Sequence, residues 1–215
     1  MGAYLVGTFL VITGVSIMIG RKARYSALLL GSAVLLCVLL LHGPRMHVIL
    51  VDGIARTRAL EPLALGGVAF ALSGSLSLTR TTSSRTVLRN DNITRWGHFL
   101  FALPMVIFGV QHFQFAPVIA GLIPSWIPGH LFWAYFTGVA FIAAALSIMI
   151  RKLGRQGATL LGLMFLLWAV VLHAPRVLAS LHNGDEWSSA FVALAMSGGA
   201  FIVAGTLPGR HSTPS

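Results

Sequence analysis

Residues 16–45 read SIMIGRKARYSALLLGSAVLLCVLLLHGPR, and residues 147–176 read SIMIRKLGRQGATLLGLMFLLWAVVLHAPR. The second stretch follows the first by 131 residues without an insertion. Ser16-Ile17-Met18-Ile19 meets Ser147-Ile148-Met149-Ile150, and Leu29-Leu30-Gly31 meets Leu160-Leu161-Gly162. At the far end His42, Pro44 and Arg45 meet His173, Pro175 and Arg176. Each stretch is a basic loop, then an apolar run long enough for a hydrocarbon core that takes roughly 20 residues per helix, then His-x-Pro-Arg.

The same offset aligns residues 3–76 with 134–207. Ala3-Tyr4 meets Ala134-Tyr135, while Leu63-Ala64, Gly67, Ala69-Phe70 and Gly74 meet Leu194-Ala195, Gly198, Ala200-Phe201 and Gly205. Chance likeness between Leu-rich helices would not hold register through polar loops, so the pattern predicts a duplicated unit. Working outward, apolar runs occur at 3–19, 25–41, 62–79, 97–115, 131–150, 157–173 and 188–207. The expected fold is an all-α, polytopic transmembrane bundle of seven spans. Equivalent positions lie four spans apart, so the copies share one orientation, a parallel repeat of the kind some transporters use.

The expected division is an incomplete first repeat over 1–79, a basic Ser/Thr-rich linker over 80–95, a complete second repeat over 96–207, and a tail over 208–215. The second copy opens with the span 97–115 and a Pro-rich connection to Gly129, whereas Met1 falls opposite Phe132. The expectation is a chain that starts one span late, through a truncated gene or a start codon set too far downstream.

With 56% hydrophobic and 9% charged residues, the composition is that of a membrane protein. The net charge of +10 would suggest nucleic acid in a soluble protein. Here its distribution gives another reading. Arg21, Lys22, Arg24, Arg80, Arg85, Arg89, Arg95, Arg151, Lys152, Arg155 and Arg210 fall on one side of alternating spans, against Arg45, Arg56, Arg58 and Arg176 on the other. The bias of Lys and Arg toward cytoplasmic loops then puts the N-terminus outside and the C-terminus in the cytoplasm. The basicity is a topology signal, and no nucleic-acid partner is expected; the partner is the lipid bilayer. No positive segment precedes the first span, so it reads as a retained span, not a signal peptide. Cys37 is the only cysteine, which excludes disulfides within the chain and multi-thiolate metal sites. The sequon Asn92-Ile93-Thr94 falls on the cytoplasmic side and is read as noise.

Small residues at four-residue spacing, Gly67 with Ala71, Ala195 with Gly199, and Ala200 with Ala204, predict close helix packing in the third and seventh spans. Trp126 and Trp133 flank Pro128-Gly129-His130, where amphipathic rings favour the headgroup level. The candidate ligand or partner site is the outer face: His42, His112, His130 and His173 at the outer ends of spans, with Arg45 and Arg176. Histidine is the commonest metal ligand and a ready proton carrier. Two readings stand for His42 and His173. A proline stops each helix, and the imidazole either caps its last carbonyls or ligates haem or metal as one of two facing neutral rings. The arginines fit pairing with Asp52, Glu61, Asp185 or Glu186, or with a phosphate headgroup or an anionic ligand.

Arg95-Trp96-Gly97-His98, Phe108-Gly109-Val110-Gln111-His112-Phe113, and Trp126-Ile127-Pro128-Gly129-His130 running through Phe132-Trp133-Ala134-Tyr135-Phe136-Thr137-Gly138 resemble DoxX-like bacterial membrane proteins. That family's basic unit is a four-helix membrane bundle, and the repeat looks like its doubling. The resemblance implies an inner-membrane protein that acts as an accessory subunit beside a membrane or peripheral oxidoreductase, with quinone as an implied ligand. A small-molecule or lipid transporter is the alternative that the parallel repeat and Gly-rich spans favour. The sequence has no evident paired acid, nucleophile-and-base motif or phosphate loop, so no activity of its own is expected.

Overall fold

The computed structural model describes residues 2–76 and 91–208. The end of the third expected span at 77–79, the linker over 80–90 with Arg80, Arg85 and Arg89, and the tail from 209 with Arg210 lie outside the described residues. Every regular element among the described residues is helical. In order these are α1 (Gly2–Met18), α2 (Ala23–His42), a 3-10 turn (Gly43–Arg45), α3 (Met46–Val51), α4 (Gly53–Ser75) and α5 (Asp91–Gln114). Then follow α6 (Ala116–Ala120), α7 (His130–Met149), α8 (Gly154–Trp168), a π turn (Ala169–His173), α9 (Ala174–Ala179) and α10 (Gly184–Thr206).

Five helical stretches are long and apolar enough to cross a membrane: Ala23–Val51, Asp91–Gln114, His130–Met149, Gly154–Ala179 and Gly184–Thr206. The chain has the build of a multi-pass membrane protein. The other two expected spans are helical but fall short of that standard for different reasons. α1 has 17 residues, about 25 Å at ~1.5 Å per residue. α4 has 23, but its first turns carry Arg56, Arg58 and Glu61. The outward surface is apolar: α2 buries only Ala27 and Gly31, leaving Leu29, Leu36, Leu40 and Leu41 exposed, as are Leu160 and Leu167 of α8. So much contiguous apolar surface is a liability in water and an asset in lipid.

Several helix ends fall 131 residues apart, the offset of the sequence match. α1 and α7 end at Met18 and Met149, α2 and α8 begin at Ala23 and Gly154, and α4 and α10 run Gly53–Ser75 and Gly184–Thr206. The residues that start the helices behave alike. Lys22 and Leu153 both adopt left-handed backbone, with φ of 53° and 57°. Asp52 accepts from the Ile54 and Ala55 amides at 2.8 and 3.3 Å, and Asn183 accepts from the Asp185 amide at 3.0 Å. Both side chains satisfy otherwise orphaned first-turn donors.

The chain divides into two compact units, Met1–Phe101 and Ala102–Ser215, with the division inside α5. In the first unit α2 packs on α4. Ser73 Oγ donates to Arg24 O at 3.0 Å, and Arg24 Nη1 donates to Leu76 O at 3.0 Å, tying the start of one helix to the end of the other. Gly31 lies against the Phe70 ring. α4 meets the first half of α5 backbone to backbone: a Cβ at Gly97 would collide with Ala71 N and with Gly67 O. The expected small pair Gly67 and Ala71 thus makes a close crossing. In the second unit Gly162 lies against the Phe201 ring, as Gly31 does against Phe70. Phe141, fully buried, collects the rings of Phe108, Phe165 and Trp168 at centroid distances of 6.0, 5.5 and 5.6 Å.

One expectation fails. Pro44 and Pro175 do not stop their helices. Pro44 sits in the 3-10 turn that leads into α3, and Pro175 in the first turn of α9 after the π turn. A proline lacks the N–H donor and crowds the carbonyl four residues back. Changing the hydrogen-bond step from four to three, or to five, relieves that crowding while the chain keeps its direction. The helix expected at 97–115 also begins earlier, at Asp91.

Candidate functional site

His112 lies near the end of α5, half-buried in an aromatic nest. Its Nδ1 is 2.8 Å from Phe108 O, its ring stacks on Trp168 at 6.0 Å and 17°, and it leans on Phe141 at 5.2 Å. Bonding to a carbonyl assigns the proton to Nδ1 and leaves Nε2 as the acceptor. His130 opens α7, where Gly129 supplies the positive φ of 74°. Its Nε2 donates to Pro124 O at 3.2 Å, and Trp133 Nε1 donates to Pro128 O at 3.1 Å. These two rings brace the connection between α6 and α7, and Trp126 projects from it, exposed.

His173 ends the π turn. Its Nδ1 is buried with no hydrogen-bond partner, and so is Glu186 Oε2 at the start of α10. Arg176 on α9 donates to Glu186 Oε1 at 3.0 Å. The pairing expected for this arginine is therefore met by Glu186. The pair therefore leaves one carboxylate oxygen of Glu186 unpartnered, with the unpartnered His173 Nδ1 in the same part of the chain. Buried polar atoms without partners are uncommon and call for a proton, water or ligand.

His42 and Arg45 belong to the first unit, and the other four residues to the second. His42 is partly buried at the end of α2, and Arg45 is exposed in the 3-10 turn. The carbonyl-capping role expected of His42 and His173 is not what the structure shows. Gly43 N–H, from the backbone, closes α2 onto Leu39 O, and His173 Nδ1 is unpartnered. Of the four candidate histidines, His112 and His130 do bond carbonyls.

Three features lie outside the sequence expectation. The π turn, Trp168 as the stacking partner of His112, and the selection of Glu186 from four candidate acids all depend on tertiary geometry. The repeat obscures the last two: Trp168 stands opposite Cys37, and Glu186 opposite Ala55. Among the described residues no group of three or more His, Cys, Asp or Glu side chains is placed to hold a metal ion. The aromatic nest and the polar cluster suit hydrogen bonding and ring stacking. No protein-family model, curated protein or solved structure matches this chain.

Proposed function

We propose that the chain is a DoxX-like inner-membrane protein that crosses the bilayer seven times, N-terminus outside and C-terminus in the cytoplasm, as an accessory subunit of a quinone-linked redox system. In this reading α1 and α4 supply the two further spans. The 17 residues of α1 are at the short end of the roughly 17–25 that suffice. The charged first turns of α4 lie at the outer interface, where Arg56 folds back to donate to Ile49 O at 3.2 Å.

The parallel repeat is supported by the shared helix ends and by side-chain roles that persist through substitution. Arg56 Nη2 donates to Leu50 O at 3.4 Å. At the equivalent place Trp187 Nε1 donates to Leu181 O at 2.9 Å. Ser16 bonds Ser26 at 2.7 Å, whereas Gly157, opposite Ser26, leaves room for the Ser147 hydroxyl.

The observation that carries the functional reading is the cluster of His173, Arg176 and Glu186. It offers an unpartnered imidazole nitrogen and an unpartnered carboxylate oxygen on a chain without an evident catalytic motif, which suits contact with a partner subunit or a polar headgroup. Isolation from native membranes in mild detergent tests it. A quinone-reducing oxidoreductase should co-migrate in fixed proportion, and replacing His173 and Arg176 together by alanine should weaken the association. A protein that migrates alone and drives solute uptake into vesicles contradicts the reading in favour of transport. If the chain bound haem itself, a Soret band lost on substituting His42 or His173 would show it, and a colourless protein rules out that form.

A further inference from the structure

We infer that the loop joining α7 to α8 binds the phosphate headgroup of an anionic phospholipid, through Arg151, Lys152 and Arg155. Both helices belong to stretches long and apolar enough to cross a membrane. The inference rests on that membrane reading, which puts residues 150–153 and the first turn of α8 at the membrane surface. Three of the five residues from Arg151 to Arg155 are cationic, and all three are exposed. Among the described residues none of the three side chains has a hydrogen-bond or ion-pair partner.

Their own unit does not neutralise them. It contains two acids, Asp185 and Glu186, both in the first turn of α10. α10 runs antiparallel to α8: Ser197 Oγ donates to Gly162 O at 2.8 Å, and a Cβ at Gly154 would meet Leu207 Cδ1 at 3.3 Å. The acids therefore lie at the Arg176 end, where Glu186 is already paired, roughly 30 Å from Arg155 at ~1.5 Å per residue. Exposed charges in physiological salt are screened over about 8–10 Å, so these acids do not reach the loop. The helix adds to its charge. Leu153 supplies no side-chain cap to α8, and Arg155 puts a cation in a first turn where the helix dipole favours an anion.

The first copy shows that the fold does not need the charges so placed. Gly20, with a φ of 75°, stands opposite Arg151, with a φ of 59°. Glycine takes left-handed backbone without the steric penalty that an arginine carries, so the second copy keeps a cation there against the preference of the turn. Arg24, opposite Arg155, is half-buried and donates to Leu76 O at the end of α4, whereas Arg155 is exposed and bonds nothing. One loop commits an arginine to its own helix packing, and the other leaves all three cations free. An anion that accepts several N–H donors and is abundant at the ends of spans is a phospholipid phosphate, which arginine holds through paired hydrogen bonds. Lys and Arg clustered next to a span attract anionic lipid by about fivefold in binding per cation.

The test uses the full chain with Cys37→Ser, reconstituted in phosphatidylcholine vesicles with a bimane fluorophore on Gln156→Cys, an exposed position next to Arg155. Spin-labelled phosphatidylglycerol and spin-labelled phosphatidylcholine are compared as quenchers. The anionic lipid should be preferred by about fivefold or more. In Arg151→Gln/Lys152→Gln/Arg155→Gln the preference should fall to parity, while continued quenching by the choline lipid shows that the helix end is still in place. The same fluorophore on Tyr25→Cys, the equivalent position in the first copy, should report a weaker preference. Equal quenching by the two lipids at Gln156→Cys, a preference that survives the triple substitution, or equal preference at both positions overturns the proposal. So does loss of the preference to inorganic phosphate but not to chloride at equal ionic strength, which would assign the loop to a free phosphate. Failure of the membrane reading shows separately: no quenching by either lipid would take α7 and α8 out of the bilayer, whereas equal quenching removes the headgroup site alone.

Discussion

Replacing Gly67 by alanine sets a methyl carbon 2.6 Å from Phe101 N, 2.8 Å from Gly97 O and 2.9 Å from Leu100 C. All three are backbone atoms of α5, so no side chain can swing aside. Ordinary contact begins near 3.4 Å, so α4 and α5 must part by about 0.8 Å, and a gap of ~0.5–1 Å forfeits a quarter to a half of the dispersion well along the crossing. Overpacking of this kind costs about 1–3 kcal/mol. Alanine also gains about 1 kcal/mol in helix propensity over glycine, which would mask part of the loss. Gly198→Ala is the matched control: Gly198 is the equivalent position in α10, and beyond its own helix backbone and chain neighbours no described atom lies within 4 Å of its Cβ. The propensity gain is common to both, so their difference isolates the collision. Unfolding in mixed detergent micelles, followed by tryptophan fluorescence, should place Gly67→Ala about 1–3 kcal/mol below Gly198→Ala. Two variants of equal stability would refute the close crossing.

The aromatic centre of the second unit predicts a larger effect: Phe141→Ala should cost about 3–5 kcal/mol, and a loss under about 1 kcal/mol in the same assay would show that the rings do not pack as a unit. The Arg176–Glu186 pair is partly open to solvent, so a double-mutant cycle with Arg176→Gln and Glu186→Gln should give a coupling of no more than about 1 kcal/mol. A coupling several times larger would mean that the pair is sealed from water.

Most of the fold is legible in the sequence because lipid imposes simple rules. An apolar run of sufficient length has to be helical, since its backbone groups find no other partners in hydrocarbon. The five stretches that meet the length and polarity standard were all visible as runs. What composition could not fix was the status of α1 and α4, where a short run and the charges at Arg56, Arg58 and Glu61 blur the boundary. The site is less legible. Position in the chain places His42 and His173 at helix ends, where a helix-ending proline would leave carbonyls for them to cap. The 3-10 and π turns remove that premise by carrying the chain through Pro44 and Pro175. Neither turn has a signature in residue periodicity. The close approach of α5 to Gly67 and Ala71 is readable because small residues at one-turn spacing report on backbone approach directly. Glu186 was one of four acids offered for Arg176, and only the placement of α9 against α10 selects it.

The central claim is a multi-pass chain made of two like-oriented copies, and sided cysteine labelling tests it most directly. In a Cys37→Ser background, single cysteines at Arg21 and Lys152, and at Asp52 and Asn183, occupy equivalent loops 131 residues apart. The account predicts that a membrane-impermeant maleimide reaches the first pair only from the cytoplasmic side and the second pair only from outside. Labelling of the two members of either pair from opposite sides would contradict it.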